Sequence, residues 1–324
     1  MTSHGCSLPL QRRIADFGAE RSGRKAVAAL AEHYSIEVPL YTVDAITRRV
    51  AKEANTFNQE PSPKGKPAVI QVTQIDGSMV PIVEFTRPED VSCPDKKADK
   101  RKRRCCQWKE IRVCSTHDVS KADARYGVSF GGVLEAGLMM RMNCEQAGLD
   151  ENTRIHGVGD GASWIAEQYE KQFGTQGRFL LDFYHVCDYL AAASESCAAS
   201  KSPAGKKKWM ERQKKWLKEN RHDQVLKNLE RYKEADGVAD ETAPVRQCWR
   251  YLKNRANQLD YQGAIKEDLP IGSGEIESAH RHLIQQRLKL SGAWWLKETA
   301  SDIAQLRVTR ANHQWNAFWQ QKAA

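Results

Sequence analysis

The sequence has no Cys-x-x-Cys pair among its nine cysteines, no repeat at a fixed period and no apolar run approaching about 18 residues. The cysteine spacing excludes a zinc ribbon and gives no disulfide framework, so we expect reduced, mostly buried thiols. The closest metal-like group, Cys105, Cys106, Cys114 and His117, fits no tetrahedral spacing. The missing apolar run excludes a transmembrane helix. Because the first residues also lack a secretory signal, we expect a cytoplasmic protein.

Positive charge is in excess. The 324 residues include 50 Lys and Arg against 41 Asp and Glu, a formal net charge of +9. Residues 96–104 hold seven basic residues and one acid, and residues 206–234 hold eleven basic and five acidic ones, with Trp209 and Trp216 among them. Basic side chains interleaved with aromatic rings suit nucleic acid. A long helix with its tryptophans on the core side gives the same pattern, and for these two rings we favour that reading slightly.

The N-terminal part has helical periodicity. Apolar residues recur at helical spacing three times, around Ile14, Leu30 and Ile46, and Thr42 is placed to cap the third helix. Three short helices in this order predict a helix-turn-helix-like DNA-binding region over residues 1–60. Any small helical bundle shows the same pattern.

After the breaker-rich residues 61–67, the pattern predicts strands. They are expected at 68–75, 80–85, 108–114, 154–158 and 178–183, with helices at 132–147 and 162–171. Asp76-Gly77-Ser78 predicts a hairpin turn between the first two strands. Three strands in a meander, followed by alternating helices and strands, predict an α/β fold with the order of ribonuclease-H-like folds. The chain is then helical and charged up to about residue 260, and two final helices are expected at about 275–290 and 294–319.

Two acids follow predicted strands. Asp76 ends the first strand and Asp160 the fourth, and each precedes a glycine that would let a ligand approach the backbone. Two neighbouring carboxylates repel unless a cation lies between them, and Mg²⁺ prefers such oxygen ligands. Taken singly, Asp76 fits turn chemistry better and Asp160 fits a helix cap equally well.

A third acid opens the penultimate helix, after the turn Gly272-Ser273-Gly274. We choose Glu277 over Glu275, partly because Ile276 and Ala279 should face the core. Three carboxylates around two metal ions form a clamp for displacement at phosphorus, although acids there also complement a helix dipole. At the end of the fifth strand, Asp182 and His185 form a pair that could orient a phosphate or water, or equally a helix cap beside a structural histidine.

Several blocks together carry a family resemblance. They are Asp76-Gly77-x-Met79-Val80-Pro81, Gly157-Val158-Gly159-Asp160-Gly161-Ala162-x-Trp164-Ile165, Asp182-Phe183-Tyr184-His185, Gly272-Ser273-Gly274-x-x-Glu277, Arg287-x-Lys289-x-Ser291-Gly292 with Trp295, Leu306-Arg307 and Trp315-x-x-Phe318-Trp319. With them the chain resembles bacterial insertion-sequence transposases of the Kra-type group, relatives of the Mutator superfamily with a DDE catalytic core. The resemblance runs from about residue 7 to residue 319.

The resemblance implies a metal-binding catalytic triad of Asp76, Asp160 and Glu277, holding two Mg²⁺ ions, with Mn²⁺ as the alternative. Asp182 and His185 would support it as an Asp/Cys-x-x-His motif. The implied partners are DNA, as transposon ends and target, and further copies of the chain in a dimer or larger assembly. The protein would be associated with the nucleoid when bound to DNA.

The implied organisation has four parts: an N-terminal DNA-binding region (1–60), a ribonuclease-H-like core in two pieces (67–189 and 269–324) and an all-α insertion (190–268). The residues expected to contact DNA are Lys96, Lys97, Arg101, Lys102, Arg103, Arg104, Lys206, Lys207, Lys208, Arg287 and Lys289. Only 75 residues precede Asp76, fewer than is usual in this family, so we expect a shortened end-binding region. The alternatives are a non-catalytic DNA-binding remnant and a ribonuclease-H-like nuclease.

Overall fold

The structure is a computed structural model that describes residues 5–60, 65–85, 104–121, 123–198 and 202–323. Its strands are β1 Ile70–Phe85, β2 Arg104–Asp118, β3 Arg125–Ser129, β4 Arg154–Gly159 and β5 Gly177–Leu181. Its α-helices are α1 Leu8–Glu20, α2 Gly23–Tyr34, α3 Leu40–Gln59, α4 Val133–Gln146, α5 Ser163–Phe173, α6 Phe183–Cys197, α7 Pro203–Lys218, α8 His222–Glu230, α9 Pro244–Lys253, α10 Tyr261–Lys266, α11 Gly274–Ala279, α12 Gln286–Leu288, α13 Lys297–Ala311 and α14 Trp315–Ala323. A π-helical turn, His280–Gln285, joins α11 to α12.

The five strands form one mixed sheet with the order β3-β2-β1-β4-β5. β1 and β3 run antiparallel to β2, whereas β1, β4 and β5 are parallel to one another. The expected mixed α/β class, with helices preceding the sheet, is therefore confirmed. β3 was not predicted, and the predicted fifth strand ends at Leu181 because Asp182 begins the next helix.

The predicted hairpin turn at Asp76-Gly77-Ser78 is wrong. β1 continues through these residues and pairs with β2 over its whole length, from Gln71 opposite Asp118 to Phe85 opposite Arg104. The glycine is needed for close approach instead: a Cβ on Gly77 would lie 2.1 Å from Oε1 of Glu110 on β2.

Different helices cover the two faces of the sheet. On one face, the N-terminal helices α1–α3 and the C-terminal helices α11–α14 share one apolar core with Val80, Ile82 and Ile111. On the other face, α4 and α5 pack over Ile75 and Ile155. A third core lies among α6–α10 and reaches the end of β5. Within the described ranges, no helix has the length and apolar character of a membrane span.

Two buried arginines join the first helix to the last ones. The Arg307 guanidinium donates to the carbonyls of Ala19 (2.6 Å) and Leu283 (2.9 Å), and Arg287 donates through Nε to the carbonyl of Gly18 (3.1 Å). Burial lowers the pKa of Arg287 to about 10. Arg287 was expected at DNA, but its guanidinium is directed into the protein, so we assign it to packing.

Candidate active site

Asp76 lies in β1, and Asp160 directly follows the neighbouring parallel strand β4. The parallel pairing of β1 and β4 ends where Thr73 lies opposite Gly157. Asp76 follows three residues later within β1, and Asp160 follows three residues later, directly after β4 ends at Gly159. Neighbouring strands lie about 5 Å apart, so residues that follow the paired stretch by the same number of positions stay close to each other. The two carboxylates are therefore brought together by strand register.

Asp76 is surrounded by negative charge. Burial raises the pKa of Asp76 from 3.8 to about 6, the Gly77 N–H lowers it, and the charges of Asp160, Glu110 and Glu277 raise it further. The Gly77 N–H donates to Asp76 Oδ1 over 2.6 Å. The charges of three further carboxylates thus act on Asp76, which is unfavourable for its ionised form without a cation.

The helix that carries Glu277 is fixed to the sheet by buried polar contacts. The Gln74 side chain of β1 accepts from the Ile276 N–H (3.0 Å) and lies 3.5 Å from the Gly272 carbonyl oxygen. Asp182 Oδ2 accepts from the Ser273 N–H (2.7 Å) and from the Ser273 hydroxyl. These contacts hold the turn before α11 against β1 and the end of β5.

The two glutamates of α11 differ in their surroundings. Glu275 Oε2 pairs with His117 Nδ1 of β2 over 3.1 Å. Glu277 is exposed and, among the described residues, makes no ion pair, while its charge acts on Asp76. Of these two carboxylates, Glu277 is therefore the one free to bind a ligand near Asp76.

The loop after β4 is held by side chains of α9 and of the residues that follow it. Asp160 Oδ1 accepts from the Ala162 N–H (3.0 Å), and the Asp160 carbonyl accepts from the Tyr251 hydroxyl of α9. Arg255 donates to the Gly161 carbonyl (2.8 Å) and lies 4.3 Å from the Tyr251 ring. The segment that follows β5 thus fixes the backbone that carries Asp160.

Asp182 caps a helix, the structural alternative considered for it. Its Oδ1 accepts from the N–H groups of Tyr184 (2.6 Å) and His185 (2.9 Å) at the start of α6. The His185 ring packs edge-on against Tyr189 and Tyr251. Asp182 is therefore connected to Glu277 by its hydrogen bonds to the turn before α11. His185 is connected to Asp160 by its contact with Tyr251, whose hydroxyl donates to the Asp160 carbonyl.

Two residues at this site were missed. Glu110 lies beside Asp76 because of the β1–β2 register, which depends on a pairing the sequence did not reveal. His280 follows Glu277 by three residues, a spacing that places both on one side of a helix and could have signalled it. Its Nε2 lies 3.5 Å from Asp76 Oδ2. Burial and the charge of Lys289 lower the pKa of His280 to about 4, which contact with the Asp76 main chain only partly offsets.

The donor set suits a hard divalent cation, since clustered carboxylates lose their mutual repulsion when one binds. In the part of the chain that the structure describes, however, no three Asp, Glu, His or Cys side chains stand close enough to hold one ion. Metal binding at Asp76, Asp160 and Glu277 therefore requires the side chains to move closer.

The expected DNA-contacting residues have different surroundings. Lys96, Lys97, Arg101, Lys102 and Arg103 lie outside the described residues. Arg104 is exposed and stacks on Phe85, Lys206 pairs with Glu195, Lys207 and Lys208 are exposed on α7, and Lys289 is half-buried. Trp209 is buried and donates to Asn228, and Trp216 packs at the edge of the same core, so both rings have the structural role favoured for them.

A protein-family model matches residues 144–321, more than half of the chain. The chain belongs to that family, uncharacterised protein family UPF0236. The match includes Asp160, Glu277 and His280 but not Asp76 or Glu110. Comparison with curated proteins gives no match.

Proposed function

We propose that the chain is a DNA transposase with a ribonuclease-H-like core. The sheet order β3-β2-β1-β4-β5 supports this reading. In it, β2 is antiparallel to both of its neighbours, whereas β1, β4 and β5 are parallel to one another. The observation that carries the proposal is the placement of three acids from distant parts of the chain: Asp160 follows the strand that pairs with β1, and the turn before the helix of Glu277 is hydrogen-bonded to Gln74 and Asp182. The charges of Asp160 and Glu277 both raise the pKa of Asp76. A DNA-binding remnant has no chemical need for three such acids at one point.

Asp76, Asp160 and Glu277 are the residues that would hold two divalent cations, Mg²⁺ or Mn²⁺. Once bound, the ions would activate the attacking oxygen and stabilise the leaving oxygen at phosphorus. Gly77 orients Asp76, and Gln74 and Asp182 fix the helix of Glu277 relative to the sheet. The protein's own contribution would thus be to hold the elements that carry the three carboxylates close to one another.

The proposed reaction has two displacements. Water first attacks the phosphodiester at a transposon end, and the departing oxygen becomes a 3′-hydroxyl. That hydroxyl then attacks a target phosphodiester and displaces the target's own 3′-oxygen, so the number of ester bonds is conserved. Lys207 and Lys208 on α7, together with Arg104 at the start of β2, offer exposed positive charge for DNA. Cutting of two ends together implies a dimer or larger assembly.

The test is strand transfer by the full chain on DNA with the terminal repeats that flank its gene, in Mg²⁺ and in Mn²⁺. We expect Asp160→Asn to abolish cleavage and joining while DNA binding persists, because the amide is a poor metal ligand. Asp236→Asn, at an exposed position between α8 and α9, is the matched control and should retain activity. Joining by Asp160→Asn at the wild-type rate would refute the proposal. Cleavage without joining would favour a nuclease, and DNA binding without cleavage by the wild type would favour a remnant.

A further inference from the structure

His280 is a buried histidine whose ring nitrogens make no well-formed hydrogen bond among the described residues. It is 5 % exposed, and neither Nδ1 nor Nε2 makes a hydrogen bond with any residue that the structure describes. Buried polar atoms in proteins are nearly always paired. His156, buried in the same sheet, follows that rule, because its Nε2 lies 2.8 Å from the carbonyl oxygen of Pro270. We therefore expect the ring nitrogens of His280 to bind a further group.

The position of the ring suggests what that partner is. His280 Nε2 lies 3.5 Å from Asp76 Oδ2, too far for a good hydrogen bond. Two ligands at right angles on an ion with bonds of about 2.1 Å are about 3.0 Å apart. A shift of about half an ångström would therefore place both atoms on one ion.

The helix geometry supports the same placement. Glu277 precedes His280 by three residues, so both side chains lie on the side of the helix that approaches β1. The helix widens to a π-helical turn from His280 onward. Such widened turns occur frequently at functional sites.

We propose that His280 is a nitrogen ligand of the metal held by Asp76, and that this ligand makes the site prefer Mn²⁺ to Mg²⁺. The inference rests on the proposed function, since it assumes the carboxylate metal site. Mg²⁺ takes oxygen ligands and gives up water reluctantly, whereas the transition metals accept imidazole readily. One imidazole in a carboxylate site thus shifts the preference toward Mn²⁺.

The experiment is Mn²⁺ binding to the full-length chain, followed by pulsed electron paramagnetic resonance, which detects the ¹⁴N nucleus of a directly bound imidazole. We expect the wild type to show the ¹⁴N signal and His280→Gln to lose it. We also expect His280→Gln to bind Mn²⁺ about tenfold more weakly, with a smaller change for Mg²⁺ in competition. His282→Gln is the matched control, because His282 lies in the same π-helical turn with its Nδ1 2.7 Å from the Ser278 carbonyl oxygen.

The outcomes separate the two proposals. Mn²⁺ that binds the wild type without a ¹⁴N signal, and is lost in Asp160→Asn, would overturn ligation by His280 while the carboxylate site stands. A ¹⁴N signal that survives in His280→Gln would also overturn it. No Mn²⁺ binding by the wild type would overturn both the inference and the metal-dependent function. The wild-type spectrum needs no variant, so a failure of His280→Gln to fold would not prevent a decision.

Discussion

Replacement of Asp76 by Asn should stabilise the metal-free protein. The rise of the Asp76 pKa from 3.8 to about 6 corresponds to about 3 kcal/mol of unfavourable free energy in the folded state above that pH. Because 39 % of the side chain is exposed, solvent screens part of this effect, and we expect about 1–2 kcal/mol. Asn keeps an oxygen to accept from the Gly77 N–H and removes the charge. For a chain of this length the gain corresponds to about 2–3 °C in melting temperature.

The effect has a defined pH dependence. Well below pH 3.8, Asp76 is protonated in both the folded and the unfolded chain, so the carboxylate carries no penalty. As the pH rises toward about 6, the unfolded chain ionises first and the wild type loses stability relative to Asp76→Asn. Above about pH 6 the difference is complete. A raised carboxyl pKa therefore destabilises the folded protein at neutral pH.

The assay is thermal unfolding in a chelator at about pH 7.5 and about pH 4, with Asp236→Asn as the remote control. Asp76→Asn should melt above the wild type at the higher pH, and most of this difference should be lost at the lower one. Added Mn²⁺ should then raise the melting temperature of the wild type only, because a ligand stabilises the state that binds it. A lower melting temperature for Asp76→Asn at about pH 7.5, or the same difference at both values, would refute the electrostatic reasoning.

Three further substitutions should destabilise the protein, each measurable by urea unfolding. Gly161→Ala should cost about 1–3 kcal/mol, because the residue has a φ of +80° and its Cβ would lie 2.3 Å from Leu181 Cδ1. Asp182→Ala should cost about 2–4 kcal/mol, since it removes a helix cap and leaves the buried Ser273 N–H without an acceptor. Arg307→Met should cost about 3–5 kcal/mol, because the buried guanidinium bridges carbonyl groups of two helical segments and pairs with an acid.

Matched substitutions isolate each cause. Gly174→Ala also places a side chain at positive φ, but nothing lies within 4 Å of the new Cβ, so it should cost less than Gly161→Ala. Asp182→Asn keeps a cap and should cost less than Asp182→Ala. Arg231→Met, at an exposed position, should change stability little. Equal costs within a pair would contradict the contact assigned to it.

Some features could be predicted because they depend on neighbours in sequence. Apolar residues at helical spacing around Ile14, Leu30 and Ile46 predicted three N-terminal helices, which the structure contains as α1–α3. Helical spacing also slightly favoured a core position for Trp209 and Trp216 in the basic residues 206–234. The family resemblance identified Asp160 and Glu277 as candidates from short blocks, and their catalytic role stays a prediction.

Other features depend on contacts between distant residues. Asp76-Gly77 is typical of a hairpin turn when read locally, yet β1 passes straight through it because β2 pairs along the whole strand and places Glu110 over the glycine. The three-residue spacing from Glu277 pointed to His280, but its position beside Asp76 follows from the packing of the C-terminal helix on the sheet.

The sequence by itself determined which segments are helical, most of the strands and which acids are candidates, because local spacing and turn chemistry govern those choices. Only the tertiary structure decided the strand register, the burial of Arg287 and the approach of Glu277, Glu110 and His280 to Asp76. Strand pairing and helix packing join residues far apart in the chain, and no local pattern records which partner each will meet.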